Sequence, residues 1–326
     1  MTTRTDPIRR RLLAATALAA AGLPEARAQG AWPTQTVKLL VGFPGGSTPD
    51  VAARILAEAM GKAFGQPVIV ENRPGASGNI AADAVAKARD DHTLGVVING
   101  NLTSAKLLNP KLPFDPAKDL NLISMLATAP LVLVTQADKP SGPDFFTAAR
   151  NGGKAWNYGS VGVGSVGHLG MEYIKGKAGR FEAQHIPYNG NPAVLNALIA
   201  GQVQMALVPP GLALPQVRSG RLKAVGLTAG RSTLAPEVPP LSSFGVQVYD
   251  LDVFVALVGP AGLTRAASER LARDVPSLVR GAEVRQRLFN AGWQAQGTAP
   301  EALRTRVRAE TTTMGGIITM QGIKLE

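Results

Sequence analysis

The residues best placed to do chemistry in this chain are glycines and hydroxyls. Gly162-x-Gly164-x-x-Gly167 follows an expected strand and opens an expected helix, with Ser160 and Ser165 beside it. Pro44-Gly45-Gly46-Ser47-Thr48 stands in the same relation to an earlier strand and helix. A glycine-rich turn entering a helix aims main-chain N–H groups at one point, and the helix dipole favours negative charge there. Two such turns facing each other would grip a carboxylate at either end of a small molecule. Either turn alone is also what an ordinary tight connection between strand and helix looks like.

Other chemistries lack their residues. The chain has no Cys, which removes disulfide frameworks, thiolate nucleophiles, iron–sulfur clusters and Cys-type zinc sites. Its three histidines, His92, His168 and His185, share no metal-ligand spacing, so neither a metal nor a cofactor is expected. No Gly-x-Ser-x-Gly elbow occurs, and no carboxylate pair sits at the strand ends beyond Asp50. Binding without turnover is therefore the expected activity, and an enzyme is not.

Of the 326 residues, 34 are Lys or Arg and 23 are Asp or Glu, a net +11, and 45% are hydrophobic. That apolar share excludes a disordered chain, and the length suits two domains. Residues 1–28 predict an export signal: Arg9-Arg10-Arg11, an apolar run from Leu12 to Leu23, then Ala26-Arg27-Ala28 before Gln29. The run is shorter than the roughly 20 residues a spanning helix needs. Both the general secretory route and the twin-arginine route stay open. Without that segment 29 basic residues face 21 acidic ones, a net +8, and the positions are scattered. Nucleic-acid binding is not expected from such a distribution, and a monomeric protein of the periplasm is.

Short β-type runs alternate with helical ones, the pattern of an α/β protein whose sheets are covered by helices. Strands are expected at 36–43, 68–70, 93–98, 131–135, 155–160, 181–186, 203–208, 222–227 and 251–258. Helices are expected at 51–64, 80–88, 145–149, 168–175 and 193–200, with one more between the strands at 203–208 and 222–227. A helical C-terminal return covers 266–279, 282–291 and 300–320. This order predicts a two-lobed clamshell, each lobe a mainly parallel sheet flanked by helices. Lobe I takes residues 33–130 plus 251–326 and lobe II takes 131–250, with hinge crossings near 129–133 and 250–256. Ligands in open α/β sheets bind beyond the carboxyl ends of the strands, where the glycine-rich turns lie.

Gly162-x-Gly164-x-x-Gly167 also satisfies the dinucleotide fingerprint, with Glu182 in the place of its acidic residue. The alternative function is thus an exported dinucleotide-dependent oxidoreductase. Against it, Trp156-Asn157-Tyr158-Gly159-Ser160 is polar and broken by glycine, unlike a strand buried on both faces.

Several blocks resemble the periplasmic solute-binding proteins of tripartite tricarboxylate transporters, the Bug family. They include Phe43-Pro44 through Asp50-Val51-Ala52-Ala53-Arg54, and Val70-Glu71-Asn72-Arg73-Pro74-Gly75-Ala76-x-Gly78-Asn79-Ile80. Asn109-Pro110-x-Leu112-Pro113-Phe114-Asp115-Pro116, Pro187-Tyr188-Asn189-Gly190, Gly226-Leu227-Thr228 and Gly322-Ile323-Lys324-Leu325 continue the match. So does Ser160-x-Gly162-x-Gly164-Ser165-x-x-His168-Leu169, and the Glu71–Gly75 block is the most specific part. The resemblance implies a type II periplasmic binding fold that closes on a di-, tri- or aromatic carboxylate and delivers it to a membrane permease.

Carried over by position, the resemblance puts first-lobe contacts on Phe43, Gly45, Gly46, Ser47 and Thr48 and on Asn99, Gly100 and Asn101. Second-lobe contacts fall on Ser160, Val161, Gly162, Gly164 and Ser165, on His168, and on Tyr188, Asn189 and Gly190. Asp50 is either a contact or a helix cap, and His168 either a contact or a buried imidazole. Where the family often has an Asp-Asn pair, this chain has Val208-Pro209, which withdraws the counter-ion of an amino-acid ligand.

Overall fold

The computed structural model describes residues 32–248 and 251–324; the expected export signal lies outside them. Its strands are β1 (Val37–Val41), β2 (Val68–Asn72), β3 (Thr93–Ile98), β4 (Leu120–Pro130), β5 (Val132–Gln136), β6 (Asn157–Ser160), β7 (Gln184–Pro187), β8 (Met205–Val208), β9 (Leu222–Leu227), β10 (Asp252–Pro260) and β11 (Gln294–Ala295). Its helices are α1 (Thr48–Phe64), α2 (Asn79–Ala86), α3 (Asn99–Leu102), α4 (Ser104–Leu108), α5 (Pro143–Gly152), α6 (Val166–Lys177), α7 (Asn191–Ile199), α8 (Pro210–Arg218), α9 (Arg265–Arg280), α10 (Ala282–Asn290) and α11 (Pro300–Gln321). Among the described residues no helix is long and apolar enough to cross a membrane.

The strands form two sheets, one ordered β11-β4-β10-β3-β1-β2 and the other β7-β6-β8-β5-β9. Alternate residues of the central strands feed both faces: Leu39 packs in one core and Leu40 in the other, and Leu133 is set likewise against Val132 and Val134. Burying such a side chain contributes about 1.5–3 kcal/mol, so each sheet is held by helices on both sides. In α1, extended Ser47 precedes a proline in the first turn with Asp50 beside it, and Gly65 closes the end at φ 68°.

The expectation of mainly parallel sheets is corrected to mixed ones. β1 runs parallel to β2 and β3, and β6 parallel to β7 and β8, but β10 is antiparallel to β3 and β4, and β5 to β8 and β9. The cause is the double crossing. β4 leaves the first sheet where β10 enters it, and β5 enters the second where β9 leaves it, so each pair runs in opposite directions. β4, β11 and the helical turns α3 and α4 were not expected: two residues of β11 carry no periodicity, and α3 occupies what reads as a loop after β3.

The crossings are tied together at Thr228. Its Oγ1–H donates to the Leu251 carbonyl (2.6 Å) and its Oγ1 accepts from the Leu131 N–H (2.9 Å). Its own N–H reaches the Leu131 carbonyl at 2.9 Å. Helix α11 spans the junction as well: Leu303 packs with Leu122 and Phe254 of the first sheet, whereas Met314 and Ile317 pack with Leu169 and Ile174 of α6.

Replacing Thr228 by Val keeps the shape but strands a buried N–H and a buried carbonyl. It is expected to lower the unfolding free energy by about 1–3 kcal/mol, read from denaturant titration.

Candidate functional site

The carboxyl ends of β1, β3, β6, β7 and β8 face the gap between the two sheets, and so does the entry to β11. At the end of β1, Asp50 rather than an outside anion takes the loop's N–H. Its Oδ2 accepts from Gly46 N–H (2.9 Å) and Arg54 Nε–H (3.0 Å), and its Oδ1 accepts from Asn72 Nδ2–H (2.8 Å). Burial works against the charge, but these donors hold the carboxyl below its ordinary value. Asn72 also donates to the Phe43 carbonyl at 2.9 Å, which fixes the turn that presents Phe43, Ser47 and Thr48. Asp50 is therefore a brace of the loop, and the Glu71–Gly75 block owes its specificity to Asn72.

The loop after β6 is satisfied internally too. Gly162 N–H donates to Ser160 Oγ (3.1 Å), Gly164 N–H to His168 Nδ1 (3.2 Å) and Ser165 N–H to the Gly162 carbonyl (3.2 Å). Ser165 caps α6 by accepting from His168 N–H at 3.2 Å. Ser160 Oγ lies 2.6 Å from His185 Nε2, and the rings of His168 and His185 stack 4.1 Å apart. Gly162 adopts φ 122°, and a Cβ there would stand 2.0 Å from Ser77 Oγ of the opposite sheet. The expected anion cradle at 160–165 is thus a contact surface between the lobes. The dinucleotide alternative has no support, and three N–H groups of this loop, those of Gly162, Gly164 and Ser165, are already bound.

Burial, with Lys175 nearby, pushes His168 down to about 4; burial and the neighbouring His168 push His185 down to about 3. Both rings are neutral at pH 7. Beneath them Tyr158 donates to Glu172 (2.6 Å), which Lys175 also reaches at 2.7 Å.

After β3 the three expected contacts are engaged within the chain. Asn99 Nδ2 donates to Glu310 (2.6 Å) and to the Asp252 carbonyl (3.1 Å), linking α3 to α11 and β10. Burial raises Glu310 to about 7, although Arg306 pulls against it. Asn101 accepts from Ile98 N–H and donates to the Ser77 carbonyl and Asn79 Oδ1. Gly100 sits under the Gly164 carbonyl, which also accepts from Ser104 Oγ–H at 2.5 Å.

Two cavities adjoin this junction, with Val161 on the wall of both. The larger, about 950 Å³ and widely open, lies against Gly162, His168, Tyr188, Asn189 and the C-terminal Gln321–Lys324. His168 Nδ1, His185 Nε2 and Glu172 on its wall already have partners within the chain. The smaller, about 30 Å³, has room for roughly one or two waters. The first lobe lines it with Phe43, Ser47, Thr48, Pro49, Ile98, Val253 and Trp293, the second with Val161, Gly190, Asn191 and Pro209. Asn191 Nδ2–H bridges to Thr48 Oγ1 at 3.1 Å. Ser47 Oγ and Trp293 Nε1 are buried without any hydrogen-bond partner. Val208 is fully buried inside β8, so Pro209 takes the wall position expected of it.

Sequence reasoning missed Trp293, Asn191 and Pro209 as wall residues. The only signal for Trp293 was a Gly-Trp step after a helix, and Trp293 reaches the gap because β11 runs antiparallel to β4. Behind it the lobes touch backbone to backbone: a Cβ on Gly211 of α8 would stand 2.1 Å from the Ala291 carbonyl oxygen, and one on Gly292 2.3 Å from Gly211 N.

The model of a family described as the tripartite tricarboxylate transporter family receptor matches residues 52–323. BugT of Bordetella pertussis (strain Tohama I) is 31% identical over 317 residues, 95% of this chain and 96% of that protein. MatC of Rhodopseudomonas palustris, solved with bound malate, is 28% identical with TM-score 0.82, over 88% of this chain and 100% of that one. A second R. palustris protein, solved with adipate, is 27% identical with TM-score 0.84, over 90% and 99%.

Gly211→Ala forces the lobes apart without touching either core. It is expected to raise the dissociation constant of any ligand enclosed between the lobes at least tenfold, about 1.4 kcal/mol, as titration calorimetry checks. The histidines predict an acid-sensitive fold. Below an ordinary value near 6.5 the unfolded chain takes up protons that the folded one refuses until about pH 4 and pH 3. Stability from this pair is whole above pH 6.5 and is lost as pH falls toward 3. Glu310, raised to about 7, works the opposite way between pH 7 and its ordinary 4.5. His185→Gln should therefore flatten the fall in melting temperature between pH 7 and pH 4 relative to the parent protein.

Proposed function

The chain belongs to the tripartite tricarboxylate transporter receptor family, and from that membership we propose that it captures a small carboxylate between its lobes and passes it to the membrane permease of such a transporter. The observation that carries the proposal is the small cavity at the strand ends, walled by both lobes, with two lining residues, Ser47 and Trp293, whose buried polar groups lack partners. The malate and adipate in the two similar R. palustris structures support the same ligand class.

Among the described residues none that lines the small cavity is charged. Recognition therefore rests on neutral donors, and the apolar Phe43, Ile98, Val161, Pro209 and Val253 face the rest of the ligand. In this closed state the cavity accepts little more than a carboxylate group, so a longer ligand enters with the lobes parted and keeps its body in the wider cleft. With Val208 buried in β8 and Pro209 on the wall, a ligand ammonium meets no acidic partner at this point, and its desolvation is uncompensated. Export belongs to the same proposal: residues 1–28 direct the chain to the periplasm, where it acts as a monomer.

The test is a carboxylate panel on the mature protein, followed by thermal shift, calorimetry and analysis of the recovered ligand. At 100 times its dissociation constant a true ligand adds about 2.7 kcal/mol of stability. Succinate, malate or adipate should bind at one per chain and be recovered unchanged, and aspartate should bind at least tenfold more weakly than succinate. Consumption of the ligand, or tighter binding of aspartate, would overturn the proposal.

A further inference from the structure

Buried donors without acceptors are uncommon, since a donor taken out of water loses its hydration and gains nothing in return. Here two residues that carry such donors line the same small cavity. Trp293 is fully enclosed and Ser47 is 1% exposed, yet neither Trp293 Nε1 nor Ser47 Oγ has a partner. An indole N–H can only donate, and a hydroxyl needs a second group to receive its proton. What these two donors lack is therefore an acceptor, and nothing on the cavity wall is basic or acidic.

We propose that Trp293 Nε1–H and the Ser47 hydroxyl are a paired-donor subsite that holds the oxygens of a ligand carboxylate once the lobes have shut. Ser47 comes from the turn after β1, which Asn72 and Asp50 hold rigid. Trp293 comes from the step between α10 and β11, next to the Gly292 contact with Gly211 of the other lobe. The two donors belong to distant stretches of the first lobe, and the second lobe closes the far side with Val161 and Pro209. Neutral donors in a dry site grip an anion without a buried counter-ion, whose desolvation would offset much of its attraction. The subsite rests on the carboxylate reading of the function and adds to it the atoms that make the contact.

The chain has three tryptophans, Trp32, Trp156 and Trp293, so an indole ¹⁵N–¹H spectrum holds three side-chain signals. Trp293→Phe keeps a ring in the wall, removes the donor and identifies its signal. Succinate, malate and adipate are the probes. The expected results are a downfield shift of the Trp293 indole proton on adding a bound probe, and a dissociation constant at least tenfold higher for Trp293→Phe and for Ser47→Ala. If a probe binds the parent protein but leaves the indole signal unmoved and binds both variants equally, the donors face a resident water and the subsite is wrong while the function stands. If no probe binds the parent protein, the proposed function falls and the subsite with it. Should Trp293→Phe fail to fold, the indole shift in the parent protein and the Ser47→Ala affinity decide the matter.

Discussion

The molecule depends on two lobes approaching so closely that main chain meets main chain. At Gly211 and Gly292 no Cβ fits on either side, and at Gly162 the Ser77 side chain occupies the place where one would be. Such contact brings the first lobe's Phe43, Ser47 and Trp293 within reach of the second lobe's Val161, Asn191 and Pro209. Polar groups along the seam take partners from across it, as Ser104 does from the Gly164 carbonyl and Asn191 from Thr48.

The loops bordering the seam are rigid because they satisfy themselves. Asp50 absorbs the Gly46 N–H, and His168 absorbs the Gly164 N–H. A loop whose amides are already bound keeps its shape with or without ligand, so little ordering remains to be done at closure. The nearby histidines are held neutral by burial, and the Asp50 charge is paired with Arg54 and hydrogen-bonded by Asn72.

Thr228 and α11 join the two lobes. Both crossings pass through one threonine whose hydroxyl and N–H tie Leu131 to Leu251. Helix α11 packs on the first sheet at Leu303 and on α6 at Met314 and Ile317. This helix thus keeps hold of both lobes, and Asn99 with Glu310 adds a buried link from α3 to it.

Much of the architecture was legible in the sequence. The runs at 93–98 and 222–227 are strands to the residue, because their β-branched and apolar content is bounded by turn residues. Family membership was legible as well, since the Glu71–Gly75 block pairs a strand end with the asparagine that clamps its neighbour. Which amides were free was not. Glycine spacing says that a turn exists, but whether its N–H groups await an anion depends on partners such as His168 Nδ1 or Asp50, placed by helix geometry. Nor could the chain alone announce Trp293. Sequence determined the strands, the turns and the two-lobed order, because periodicity and turn chemistry act over a few residues. Only the tertiary structure decided which donors were buried unpaired, because burial and pairing depend on residues far apart along the chain that meet when the lobes close.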